Sequence, residues 1–114
     1  MAKSECIFCR IILGEIPSDK VFESDEFIVI RDIQPQARVH LLVIPKTHVD
    51  CLDSVDSFEI NSKILPLAVE VARHQKLSRG GFRVVINTRE WGGQSVRHLH
   101  LHLLGGEQLR GNFA

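Results

Sequence analysis

The stretch His98-Leu99-His100-Leu101-His102-Leu103-Leu104 decides how this chain is read. Histidine and leucine alternate through it. That is the period of a β-strand, whose successive side chains point to opposite faces. Leu99, Leu101 and Leu103 then share a core face and the three imidazoles share the other. The outer two rings are separated by roughly 13 Å of strand. A helix would scatter them, because residues two apart do not face the same way at 3.6 residues per turn. A single histidine on a strand face is usually an exposed polar side chain in contact with water. Three together, directly after Gly92-Gly93-Gln94-Ser95, point to metal binding or to imidazole nucleophilic and acid–base chemistry. The glycines let backbone amides approach an anion, and Gln94 and Ser95 add side-chain donors, as phosphoryl or nucleotidyl transfer requires.

Upstream, Ile7 to Leu13 is mostly apolar and ends at Gly14, which predicts a short helix with a glycine stop. Lys20–Glu23, Phe27–Ile33 and Val39–Ile44 read as strands, the last stopped by Pro45. Asp56 and Glu59 have capping-box spacing, and Ile60, Ile64, Leu67, Ala68 and Val71 recur at helical intervals. Pro66 should kink or divide that helix. Phe82–Asn87 is a further strand, and the loop Thr88 to Gln94, with Trp91, leads into the histidine row. The order is short helix, three strands, long helix, two strands. It predicts an α+β fold, an antiparallel sheet with its helices to one side.

The 114 residues form one domain, 1–114, without repeat or linker. Lys plus Arg and Asp plus Glu both number 14, so there is no basic excess of the kind a nucleic-acid surface shows. No apolar run is long enough for a membrane span, and Met1-Ala2-Lys3-Ser4-Glu5 is no signal peptide. A cytoplasmic location is the expectation. Three cysteines do not make a disulfide scaffold. Cys6-Ile7-Phe8-Cys9 is instead half of a zinc site, which His48 and one histidine of the row could complete; the alternative is a pair of packed thiols.

At this point the chain resembles the histidine triad (HIT) family. The row matches that family's His-φ-His-φ-His-φ-φ signature, with φ hydrophobic. Ile7-Phe8, Gly14-Glu15-Ile16-Pro17, Asp32-Ile33-Gln34-Pro35-Gln36-Ala37, Leu42-Val43-Ile44-Pro45-Lys46-Thr47-His48 and Gly92-Gly93-Gln94-Ser95-Val96 resemble its Hint branch, in order and spacing. The resemblance covers most of the chain, from Cys6 to Gly106.

The resemblance implies a five-stranded antiparallel sheet with one short and one long helix, and sheets joined across a homodimer. It implies hydrolysis of the P–N bond of purine nucleoside 5′-phosphoramidates, with no cofactor required for catalysis. His100 would be the nucleophile that carries the nucleotidyl group. His102 would contact the phosphate, Ser95 would serve the leaving group, and Asn87, Gly93 and Gln94 would border the phosphate. Asp32 would accept the ribose hydroxyls, while Ile7, Phe8, Ile11, Ile30 and Ile33 would line the base pocket. By the pattern of bacterial-type members, Cys6, Cys9, His48 and His98 would hold structural zinc. The tail departs from the Hint pattern, since Gly105 to Gly111 lacks the tryptophan often found there. Cys51 reads as packing, and His40 and His74 have no evident partner. Two other readings are a Fhit-type dinucleoside polyphosphate hydrolase, which usually has threonine where Ser95 stands, and a nucleotide-binding regulator with incidental catalysis.

Overall fold

A computed structural model of the chain describes residues 5–111. Its elements are α1 (Ile7–Ile12), β1 (Lys20–Glu23), β2 (Phe27–Arg31), β3 (Val39–Pro45), α2 (Phe58–His74), β4 (Phe82–Val85) and β5 (Leu101–Gly105). The five strands form one antiparallel sheet in the order β1-β2-β3-β5-β4.

Strand alternation divides the sheet into two cores. Phe27, Val29, Leu41, Val43, Leu99, Leu101 and Leu103 pack with Ile64, Ala68, Val71 and Ala72 of α2. Ile28, Ile30, Leu42 and Ile44 point the other way and pack with Cys6, Phe8 and Cys9 at α1. The helices therefore cover opposite faces, not one side as the sequence suggests. β2 and β3 are apolar on both faces, so each face needs a cover. The imidazole row lies on the α1 face.

Several boundaries also differ. Regular pairing of the last strand begins at Leu101, so His98, at the end of a bend, and His100 both precede it. The in–out alternation nevertheless holds, because Leu99 is wholly buried in the α2-side core and its amide bonds Val49 O at 2.8 Å. β2 stops at Arg31, because Asp32 turns the chain by accepting the Gln34 amide on its own Oδ1 at 2.8 Å. β4 stops at Val85.

Ser57, not Asp56, occupies the N-cap position of α2, but its side chain caps no amide: the Oγ hydrogen is shared between Leu52 O (2.8 Å) and Ser54 O (2.7 Å). The helix runs unbroken through Pro66. Pro66 and Ser62 both face solvent, so water can serve the Ser62 carbonyl that loses its amide partner. α1 closes as expected on Gly14, at φ +81°. No helix among the described residues is long and apolar enough to cross a membrane.

Candidate active site

Each ring of the row has a different environment. His98 is fully buried, His100 is 4% exposed, and His102 is half-buried. Burial disfavours the charged form and is the main cause of a lowered pKa at all three. His98 and His102 fall to about 4, helped by neighbouring imidazoles. The rings are therefore neutral at pH 7, and the position of each remaining proton decides the chemistry.

The surrounding acceptors fix those protons. His100 Nδ1 lies 2.7 Å from the His98 backbone carbonyl, which can only accept. Nδ1 thus carries the hydrogen and Nε2 keeps its lone pair. That is the form of imidazole able to attack phosphorus. Phe8 stands edge-on to the His100 ring at 5.0 Å between centroids.

His102 takes the opposite tautomer, through a residue the sequence reading left without a partner. The Gln36 amide donates to His40 Nδ1 at 3.0 Å. In the neutral ring, His40 Nε2 then bears the hydrogen, 2.9 Å from His102 Nδ1 and 3.4 Å from Asp32 Oδ2. Burial lowers the His40 pKa, against the opposing pull of Asp32. His102 Nδ1 accepts, so its Nε2 carries the hydrogen and is a donor suited to a phosphate oxygen. A sequence signal for His40 exists, as it is the one ionisable residue in the otherwise apolar β3.

Around these rings, the expected contributors separate. Phe8, Ile11 and Ile30 share the α1-side cluster. Ile7 is 44% and Ile33 93% exposed, so neither is packed into that cluster. Asn87 lies two residues beyond β4, whose last recorded pair is Val85↔His102. Gly93, at φ +85°, would bring a Cβ within 4.0 Å of Asn87 Cγ. Ser95 is exposed between this turn and the row.

Two expectations for the glycine turn are revised. The amides of Gly93 and Gln94 close the turn onto Glu90 O and Arg89 O, both at 3.0 Å, and do not aim at an anion. The Gln94 side chain is held by the Arg89 amide (2.8 Å), Asp50 O (2.6 Å) and Val96 O (2.9 Å), so it pins the loop. Gly92 is required sterically, since a Cβ there would meet Thr88 O at 2.4 Å. Trp91 is fully exposed. Cys51 is buried against Ser54, as expected of packing. His74 is exposed in the last turn of α2.

Cys6, Cys9, His48 and His98 converge, their ligand atoms all within 4.8 Å of one another. His98 Nε2 donates to Pro45 O (2.8 Å) and His48 Nε2 to Asp50 Oδ1 (3.1 Å). Both Nδ1 lone pairs consequently turn to sulfur. His98 Nδ1 lies 3.3 Å from Cys6 Sγ and 3.6 Å from Cys9 Sγ, and His48 Nδ1 lies 3.2 Å from Cys9 Sγ. Tetrahedral zinc holds such atoms about 3.5 Å apart, with outer N–H groups bonded as here. The residues present fit a zinc ion.

The HIT domain family model matches residues 13–109. Purine nucleoside phosphoramidase of Escherichia coli K12 is 38% identical over 107 residues, which span 92% of this chain and 90% of its own length. A HIT family hydrolase from Legionella pneumophila is similar in structure, with a TM-score of 0.88 and 46% identity over 93% of this chain and 96% of that one. A zinc-bound histidine triad family protein from Mycobacterium smegmatis has a TM-score of 0.83 and 32% identity over 96% of this chain and 82% of that one. With its histidine row, antiparallel sheet and these relatives, the chain belongs to the HIT domain family.

Proposed function

We propose that the protein hydrolyses purine nucleoside 5′-phosphoramidates through a nucleotidyl group carried on His100. The observation that carries this reading is the 2.7 Å bond from His100 Nδ1 to the His98 carbonyl, which leaves a neutral Nε2 nucleophile. The phosphoramidase activity named for the Escherichia coli relative supports the substrate class.

Nε2 attacks the α-phosphorus and the P–N bond breaks. The leaving nitrogen takes up a proton from solvent at the exposed Ser95 edge. His102 Nε2–H and Asn87 bind the phosphate oxygens, and Asp32 accepts the ribose hydroxyls. Water then attacks the same phosphorus and gives a proton to solvent, the P–Nε2 bond breaks, and its electron pair returns to His100 as nucleoside monophosphate leaves. Cys6, Cys9, His48 and His98 would hold a zinc ion whose role would be structural, outside these steps. A cytoplasmic setting would keep the thiols reduced. The outer edge of β4, the last strand in the sheet order, is the surface for a homodimer.

Intact mass after brief incubation with an adenosine phosphoramidate tests this. A nucleotide-sized adduct is expected on wild-type protein and none on His100→Ala, which should also lose turnover. Normal hydrolysis by His100→Ala would end the assignment.

A further inference from the structure

His98 belongs to both the thiol cluster and the nucleophile's support. Its ring Nδ1 faces Cys6 and Cys9 (3.3 and 3.6 Å), its Nε2 is fixed on Pro45 O (2.8 Å), and its backbone carbonyl receives the His100 Nδ1 hydrogen (2.7 Å). That carbonyl lies ahead of Leu101, where ladder pairing of β5 begins. Outside the ladder, the same peptide group is held through the Leu99 amide, which donates to Val49 O at 2.8 Å, one residue beyond His48. α1 supplies a second link, for Phe8 sits between the two cysteines and packs edge-on to both His98 (5.8 Å) and His100 (5.0 Å).

We propose that Cys6, Cys9 and His48 are positioning residues for His100: by gripping the His98 ring they hold the His98 carbonyl, and with it the tautomer and direction of the nucleophile. A metal ion in the cluster would tighten that grip. Ions and chelators have a route to it, since Cys9 and His48 line a surface cleft of about 450 Å³ with Arg10, Leu13 and Lys46. The kinetic part of the inference rests on the proposed nucleophilic role of His100, but the tautomer part does not.

The test compares zinc-loaded protein, chelator-stripped protein, Cys9→Ser and, as a milder change at the cleft, His48→Asn. Nitrogen-15 imidazole NMR reads the His100 tautomer, AMP titration reads nucleotide affinity, and steady-state kinetics separates kcat from KM. The zinc-loaded protein should show one Nδ1–H tautomer at His100. The other three should show mixed tautomers and a kcat lower by about tenfold or more. KM and AMP affinity should stay within about twofold. A single retained tautomer with unchanged kcat in stripped protein and both variants would overturn the proposal. So would a common loss of AMP binding, kcat and melting temperature, which marks a merely structural cluster. If even zinc-loaded protein hydrolyses no phosphoramidate, the functional reading fails, and the tautomer spectrum still decides this one.

Discussion

His40→Leu removes the donor that fixes His102. The substitution deletes the Nε2–H···Nδ1 bond to His102 at 2.9 Å and the acceptor of the Gln36 amide at 3.0 Å. Gln36 is exposed, so its amide can turn to water, and the cost in stability should be about 1 kcal/mol. The catalytic cost is larger. Without His40, His102 divides between tautomers, and one of them presents a lone pair to an anionic phosphate. Even division alone would cost only about twofold, but without the His40 anchor at 2.9 Å the ring can also turn away from the phosphate and lose that bond altogether. Loss of a hydrogen bond to a charged oxygen costs about 1.5–3 kcal/mol, or roughly 10- to 100-fold in rate. We expect kcat on an adenosine phosphoramidate to fall by about 10- to 100-fold with KM changed little, because His40 touches no substrate. His40→Gln keeps an N–H donor and should recover part of the loss. Steady-state kinetics with thermal melting checks this. A kcat within twofold of wild type in His40→Leu refutes the relay, as does an equal loss in both variants that follows a fall in melting temperature.

Three further outcomes follow from the same geometry. Leu101→Ala should cost about 2–5 kcal/mol in urea denaturation, because Leu101 is wholly buried between β3 and α2; less than 1 kcal/mol would contradict the two-core packing. Asp32→Asn retains an acceptor for the Gln34 amide but loses the carboxylate, so KM for the nucleotide should rise about tenfold with kcat and melting temperature nearly unchanged; a lower melting temperature with the same KM would make Asp32 a turn residue only. His102 has a folded-state pKa of about 4 against 6.5 when solvated, and that of His40 is also lowered. The unfolded chain therefore binds more protons between those values. Stability should be full above about pH 6.5 and decline toward pH 4, and replacing both rings should make that slope shallower in pH-dependent melting, with the lowered His98 and His100 carrying the remainder.

The sequence wrote its periodic features plainly. The His–Leu alternation, the apolar β2 and β3, the α1 stop at Gly14 and the helical repeat of α2 are properties of single segments. Backbone geometry imposes them locally, so the residue pattern shows them. Family kinship was equally legible, as was the convergence of Cys6, Cys9, His48 and His98, because motifs keep their order and spacing. Only the tertiary structure decided that the helices cover opposite faces, that His98 and His100 precede the regular strand, and that the Gln94 side chain pins a loop. It alone decided the protons. His98 is fixed by a carbonyl 53 residues away in sequence, at Pro45. His100 is fixed by the His98 carbonyl, and His102 by a His40 ring that the Gln36 amide has already oriented. Three of those partners are backbone groups, which every residue type carries alike, so no spelling of the sequence could reveal which nitrogen would meet them.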